Sequence, residues 1–190
     1  MNILGIREGL LLTRRNPDLV SKIIDRLSDY IIELANCEYQ LGADLFWIAE
    51  PTASLISPKT FEKICLKPYQ KIINSLPMAT MLHVCGKTDK HTKALEDTGA
   101  AVLSIDYCTN IRNVLKTVSE DVIIMGNFSP MTLRDASKEI LYEETKKYLE
   151  EISGFENVVK STGCAIADKT PRDNILYWVD LCKGEVNCQN

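Results

Sequence analysis

A histidine and a cysteine two residues apart, His83 and Cys85, have the side chains best suited to metal chemistry in this sequence. They close a short apolar run that begins at Ala79 and stops at Gly86, so the run is predicted to be a buried strand followed by its exit turn. Side chains at positions i and i+2 of a strand point to the same face. The imidazole and the thiol could therefore bind one metal ion without distorting the backbone.

Further polar residues follow the other apolar runs, at the points where each run ends. If those runs are parallel strands, their carboxyl ends meet at one edge, where α/β proteins place their functional loops. The residues predicted at that edge are Glu50, His83, Cys85, Asp106, Asn127 and Cys164. One histidine and two cysteines suit zinc, and a carboxylate or an open position would complete a tetrahedron. Because the ligands come from several strand ends, a catalytic zinc site is favoured over a structural one.

The elements that must position these residues alternate between strand and helix patterns. Helix starts are predicted at 16–18, 57–58, 90, 111, 134 and 170, and strands at 45–49, 79–85, 101–105, 122–125 and 157–160. A loop through Ser129 and Pro130 is expected before one long helix from Arg134 to Ile152. The alternation predicts an α/β fold of about five parallel strands with right-handed crossovers. Residues 1–190 are expected to form a single domain, with a lead-in segment at 1–15 and a loose tail at 185–190.

The length, charge and composition of the chain indicate which classes of protein it resembles. The chain has 190 residues and a formal net charge of -4, without a basic block that would suggest nucleic-acid binding. It contains no apolar run long enough for a membrane span and no signal peptide, so a cytoplasmic protein without nucleic-acid or membrane partners is expected. Seven cysteines, an odd number, favour free thiols or metal ligands over a disulfide framework. An eight-stranded α/β barrel usually needs about 250 residues.

Several motifs resemble the uroporphyrinogen decarboxylase superfamily, and within it the methylcobalamin:coenzyme M methyltransferase branch. The resemblance extends from about Asn16 to Lys183 and covers only the C-terminal part of that family's barrel. The segments that carry it are 83–86 (HVCG), 97–100 (DTGA), 103–106 (LSID), 126–130 (GNFSP), 161–164 (STGC), 170–171 (TP) and 174–175 (NI).

The resemblance implies a partial TIM barrel that lacks the N-terminal strands of the family's (β/α)8 barrel. It implies Zn²⁺ bound by His83, Cys85 and Cys164, with Asp106 as an exchangeable fourth ligand and catalytic group where the family usually has Glu. The implied activity is zinc-dependent transfer of a methyl group from a corrinoid, such as methylcobalamin, to a thiol such as coenzyme M. A homodimer, or a partner that supplies the missing strands, would cover the open edges of the sheet.

Other interpretations remain open for the chain and for single residues. The chain could be a non-catalytic or partner-dependent zinc-binding barrel fragment; uroporphyrinogen decarboxylation is less favoured because the arginine-rich substrate motif is absent. Asp106 could simply cap a turn. Glu50 and Asn127 are predicted to bind substrate, with a surface carboxylate and a loop-fixing amide as the respective alternatives. Cys108, close to Asp106, is a minor candidate for a spare ligand.

Residues away from the predicted edge receive ordinary structural interpretations. Cys37 and Cys65 lie in predicted helices and are interpreted as core residues. Trp47 and Trp178 are interpreted as packing residues. His91 is expected to be solvated at the start of a helix.

Overall fold

Five parallel strands form one sheet in the order in which they occur in the chain. The structure is a computed structural model, and it describes residues 4–185. The strands are β1 (Leu45–Glu50), β2 (Ala79–Val84), β3 (Val102–Ile105), β4 (Ile123–Met125) and β5 (Val158–Val159). All four neighbouring pairs are parallel, which confirms the predicted α/β class and the number of strands.

Helices connect successive strands and pack mainly on one face of the sheet. They are α1 (Ile6–Arg15), α2 (Pro17–Gln40), α3 (Pro58–Phe61), α4 (Lys67–Asn74), α5 (Thr92–Glu96), α6 (Ile111–Thr117), α7 (Pro130–Asp135), α8 (Lys138–Ile152) and α9 (Arg172–Lys183). A π-helical turn at Glu62–Leu66 joins α3 to α4, and a 3-10 turn occupies Ala53–Leu55. No helix within residues 4–185 is long and apolar enough to cross a membrane.

The starts of several helices follow directly from their sequence. Asn16 accepts a hydrogen bond from the backbone N–H of Leu19, and Pro17 occupies the first position of α2, as the N-cap and proline pattern predicts. Ser57 and Pro58 start α3 in the same way. Much of the predicted lead-in segment 1–15 is occupied by α1. Of the predicted tail 185–190, all but the first residue lies outside the described residues.

The prediction of one long helix from Arg134 was wrong. Ser129 caps α7 and Pro130 begins it, so the segment interpreted as a loop is a helix start of the same kind as Asn16 and Pro17. Ala136 and Ser137 then leave the helical conformation, and the Ser137 hydroxyl caps a second helix, α8. Two capped helices therefore replace the predicted loop and single helix.

The two faces of the sheet have different surroundings. The helix-covered face, against which the helices pack, contains buried side chains from all four longer strands: Phe46, Leu82, Val84, Leu103, Ile105 and Ile124. The strand register places the alternate residues on the other face, which we call the open face: Leu45, Trp47, Ala49, Ala79, Met81, His83, Val102, Ser104, Ile123, Met125 and Val159.

Four large apolar side chains on the open face are exposed. Leu45, Trp47, Ile123 and Val159 retain 41%, 56%, 39% and 45% of their accessible surface. Trp47, interpreted from the sequence as a packing residue, is thus more than half exposed, and its ring contacts that of His83 edge-on. Within residues 4–185, β1 and β5 each pair with one strand only, so both edges of the sheet are open, as in a partial barrel.

Three further expectations can be compared with the structure. Trp178 and Cys65 are buried, as predicted. Cys37 is exposed and does not belong to the core. His91 is buried rather than solvated: its Nε2 lies 2.8 Å from the Ile56 carbonyl oxygen, and its ring contacts that of Phe61 edge-on.

Candidate metal centre

The His83 imidazole is oriented by the neighbouring strand. Its Nδ1 lies 3.1 Å from the carbonyl oxygen of Ser104, with which His83 is in register, and 3.1 Å from the Ser104 hydroxyl. A carbonyl oxygen only accepts hydrogen bonds, so Nδ1 is the donor and Nε2 keeps its lone pair for a metal. Burial lowers the pKa of His83, against smaller opposing effects of the Ser104 backbone and the Asp106 charge. The neutral imidazole is the form that binds metals.

Cys85 follows β2 and lies on the same side as His83. Its Sγ is 3.3 Å from His83 Nε2. Its backbone N–H donates to the carbonyl oxygen of Glu50 at 3.1 Å, which continues the pairing of β1 with β2 by one residue. Gly86 then turns the chain with a φ of 85°, a conformation that suits glycine. The strand end thus positions the thiol beside the imidazole, as the i, i+2 spacing predicts.

Cys164 reaches the same place through a close approach of two loops. The N–H of Gly163 donates to the carbonyl oxygen of Phe128 at 2.8 Å. A Cβ atom at position 163 would lie 2.2 Å from the backbone nitrogen of Tyr107. Only glycine fits there, and the resulting contact brings Cys164 toward the end of β2.

The ligand atoms of His83, Cys85 and Cys164 all lie within 4.8 Å of one another. Within residues 4–185 this is the sole group of three or more His, Cys, Asp or Glu residues that meets this spacing. Tetrahedral zinc with Zn–S near 2.3 Å and Zn–N near 2.0 Å requires ligand separations of roughly 3.3 to 3.8 Å. The separation of 3.3 Å between Sγ and Nε2 and the NS₂ donor set therefore fit zinc.

The electrostatics of the cluster also favour a cation. Burial has the largest effect on the pKa of the Cys85 thiol, and the charge of Cys164 and a hydrogen bond with it act in the same direction. Together these effects raise the pKa to about 11. Without a metal, the thiol therefore keeps its proton at neutral pH. A bound cation would replace that proton, so metal binding at this site should release protons.

Asp106 is buried close to the cluster but is not one of its three members. Its Oδ2 accepts a hydrogen bond from the Gly86 N–H and its Oδ1 accepts one from the Cys108 N–H, both at 2.9 Å. The carboxylate therefore caps its own turn, which is the alternative considered from the sequence, and also holds the turn that follows Cys85. Its role as the fourth zinc ligand and catalytic group stays a prediction.

Asn127 is buried and fixes the loop after β3. Its side-chain nitrogen donates to the carbonyl oxygens of Asp106 at 3.1 Å and Thr109 at 2.6 Å. This contact pattern agrees with the loop-fixing alternative. A role in binding substrate stays a prediction.

Glu50 lies at the end of β1, in register with Val84, and its side chain faces the helices rather than the metal cluster. Oε1 accepts hydrogen bonds from the N–H and hydroxyl of Thr52, and Oε2 accepts one from the Tyr69 hydroxyl at 3.2 Å. Glu50 is half-buried and is therefore not a simple surface carboxylate. Its predicted role in binding substrate is not tested by these contacts.

Three residues that support the centre were not singled out from the sequence. Ser104 orients His83, and the signal for it was a lone polar residue inside an apolar strand. Gly163 permits the loop contact. Thr109 accepts a hydrogen bond from the Thr88 N–H at 2.9 Å and donates to the Gly86 carbonyl oxygen at 3.3 Å, so it ties the β3 loop to the metal-binding turn.

Known proteins are similar to this chain in sequence and in fold. A methylcobamide:CoM methyltransferase (MtbA) of Methanosarcina mazei is 34% identical over 174 residues, which are 88% of this chain and 50% of that protein. A methylcobamide:CoM methyltransferase (MtaA) of Methanosarcina barkeri is 30% identical over 182 residues, 94% of this chain and 52% of that protein. A solved methyltransferase from Methanosarcina mazei superposes with a TM-score of 0.83 at 26% identity, over 95% of this chain and 54% of that chain.

The coverage of these matches and a family model show how the chain is related to known proteins. The chain spans about half the length of the curated relatives that it matches. The family model for uroporphyrinogen decarboxylase (URO-D) matches residues 3–184, nearly the whole chain. The chain therefore belongs to the uroporphyrinogen decarboxylase family, and relatives in it include corrinoid methyltransferases.

Proposed function

We propose that this chain is a zinc-dependent methyltransferase that moves a methyl group from a corrinoid carrier to a thiol such as coenzyme M. The observation that carries the proposal is the convergence of His83, Cys85 and Cys164 at the carboxyl end of a parallel sheet. The similarity to methylcobamide:CoM methyltransferases supports the choice of reaction.

In this reaction the sulfur of the thiol bonds to the methyl carbon as the bond from that carbon to the corrinoid breaks. The electron pair of the broken bond stays with the corrinoid, and the thiol proton passes to solvent. Bound zinc would supply the Lewis acidity that keeps the substrate thiol deprotonated at neutral pH. His83, Cys85 and Cys164 would hold the ion and leave one position for the substrate. Ser104 fixes the imidazole ring, and Asp106 holds the turn after Cys85.

We retain Asp106 as the proposed fourth ligand, which would leave when the thiol binds. Each carboxylate oxygen accepts one hydrogen bond, from Gly86 or from Cys108, and keeps a second lone pair that would be available to the ion. Glu50 and Asn127 are proposed to contribute to substrate binding indirectly, through the loops that they hold.

The decisive experiment compares Cys164→Ala with Cys108→Ala. Cys108 is exposed and lies outside the cluster, so it is the matched control. Elemental analysis after purification without chelators should give about one zinc per chain for the wild type and Cys108→Ala, and far less for Cys164→Ala. Transfer of the methyl group from methylcobalamin to coenzyme M should be lost with the zinc. One tight zinc in Cys164→Ala would contradict the ligand assignment.

The exposed open face favours a second possibility, that activity requires another polypeptide. Parallel sheets are normally covered on both faces, whereas Leu45, Trp47, Ile123 and Val159 are exposed here. We propose that a second copy of the chain, or a partner that supplies further strands, covers this face. A light-scattering mass distinguishes a dimer from a monomer. A monomer that binds zinc but transfers no methyl group would favour the partner-dependent or non-catalytic interpretation.

A further inference from the structure

A cavity lies on the helix-covered side of the sheet, on the opposite side from the candidate metal centre. Its volume is about 320 Å³, and it is a partly open pocket between α1 and α2 on one side and β1 with the 58–74 helical segment on the other. None of the three proposed zinc ligands lines it. The wall is mainly aliphatic and includes Leu12, Ile24, Leu27, Ile48, Ile64 and Ile72.

One end of this cavity is charged. Glu50 is the only charged residue in the lining formed by residues 4–185, and no salt bridge to it is found among those residues. Hydrogen bonds from Thr52 and Tyr69 hold the carboxylate in a fixed orientation. Oε1 accepts two of these bonds and Oε2 accepts one, so Oε2 has capacity for another donor.

The other polar groups in the wall do not compensate this charge. The hydroxyls of Thr13 and Ser28 donate to backbone carbonyls of their own helices. Burial, followed by the charge of Glu50, raises the pKa of both Cys65 and Tyr69, so neither side chain adds charge at neutral pH. The cavity thus combines an aliphatic wall with a single oriented carboxylate.

Small-molecule sites usually have this composition, an apolar pocket of about 300 Å³ or more with a few fixed polar groups. An apolar cavity of about 150 Å³ already holds benzene. The volume here is about twice that, enough for roughly ten non-hydrogen atoms. A donor that also carries a positive charge would match the free acceptor on Glu50 better than a neutral donor would.

We propose that this cavity binds a small apolar molecule that carries one primary ammonium group, with the ammonium at Glu50 and the apolar part between α2 and the 58–74 segment. This site is independent of the metal centre and does not rest on the proposed methyl transfer. Its test therefore uses the full chain in the presence of a chelator, so that failure of the zinc assignment would not affect the result.

The test compares three ligands of similar size by isothermal titration calorimetry at pH 7: 2-phenylethylamine, 2-phenylethanol and 3-phenylpropanoate. The amine should bind about tenfold more tightly than the alcohol, as a charge-assisted hydrogen bond predicts, and the anion should not bind measurably. Equal binding of amine and alcohol, binding of the anion, or no binding of the amine at millimolar concentration would overturn the proposal. These comparisons on the wild type need no variant to fold.

Variants then locate the site. Glu50→Gln should reduce the amine to the affinity of the alcohol. Ile24→Trp, which fills the cavity, should weaken both ligands at least tenfold. The matched control is Leu176→Trp on α9, where the side chain is exposed, and it should leave both affinities unchanged. An unchanged affinity in Ile24→Trp, confirmed as folded by circular dichroism, would place the ligand elsewhere and reject this site.

Discussion

The same five strands present two faces of opposite character. On the helix-covered face, Leu82, Leu103 and Ile124 are at most 2% exposed, whereas on the open face Leu45, Trp47 and Val159 are more than 40% exposed. Composition does not explain the difference, because both faces are largely apolar. The helices pack mainly on one face, so apolar side chains are buried most completely at alternate residues of each strand.

Because side chains alternate between the two faces of a strand, the residues that stabilise the fold and the residue His83 of the candidate metal centre lie on opposite faces of the sheet. The helix-covered face supplies the buried core, and the open face carries His83, with Cys85 next to it at the strand end. A substitution at one residue of a strand should therefore affect folding, while a substitution at the next residue should affect binding or association. Three predictions test this separation, from the largest effect to the smallest.

The largest effect is expected from a matched pair of leucines. Leu103→Ala on the helix-covered face removes a side chain that is 2% exposed and should lower the free energy of unfolding by about 2 to 5 kcal/mol. Leu45→Ala on the open face should cost less than about 1 kcal/mol, since Leu45 is 41% exposed. Urea unfolding measures both. Similar losses in the two variants would show that the open face is covered in solution.

An effect of intermediate size is expected on the free energy of unfolding at alkaline pH, through a cysteine on the helix-covered side. Burial, followed by the Glu50 charge, raises the pKa of Cys65 from 9.0 to about 12. Between these values the folded chain keeps a proton that the unfolded chain releases, so stability is full below pH 9 and falls as pH rises. From pH 9 to 10.5 the loss attributable to Cys65 should be about 2 kcal/mol.

Unfolding at these two pH values checks the prediction in two variants. Cys65→Ala should show a shallower loss than the wild type, whereas Cys37→Ala, at an exposed cysteine, should keep the wild-type loss. Burial also raises the pKa of Cys182 to about 11, so part of the loss should persist in both variants. Identical pH dependence in all three proteins would refute the assignment to Cys65.

The smallest change in stability is expected at Trp47. Trp47→Ser on the open face should alter the free energy of unfolding by no more than about 1 kcal/mol, because the ring is 56% exposed. The same substitution should reduce association if this face binds a second copy, and light scattering at several concentrations measures that effect. A loss of several kcal/mol in a monomeric protein would mean that the ring is buried by this chain itself.

Local sequence patterns predicted the strands and the adjacent positions of His83 and Cys85, since both depend on short-range spacing. The apolar run of β2 and the i, i+2 spacing place His83 and Cys85 together, and the carboxyl-end rule brings Cys164 to the same edge. The faces were not predictable in this way. In β1, Leu45 to Ile48 is apolar at every position, as in a strand covered on both sides, and only the structure shows which side has helices.

Two further features that the local pattern did not reveal depend on contacts between distant residues. His91 is buried because it meets the carbonyl of Ile56, 35 residues earlier in the chain. The oxygens of Asp106 are used by Gly86, 20 residues earlier, as well as by Cys108. The break between α7 and α8 has a different, local origin, the Ser137 cap, which the amphipathic pattern around it conceals.

Glu50 has two separate structural roles, one for its main chain and one for its side chain. Its carbonyl oxygen accepts a hydrogen bond from the Cys85 N–H. The main chain of Glu50 supports the turn after Cys85, while its side chain lies on the helix-covered face and lines the aliphatic cavity. Any amino acid at position 50 can supply that carbonyl. Evolution could therefore exchange the charge at the cavity, and with it the class of molecule bound there, without withdrawing the backbone support of the thiol.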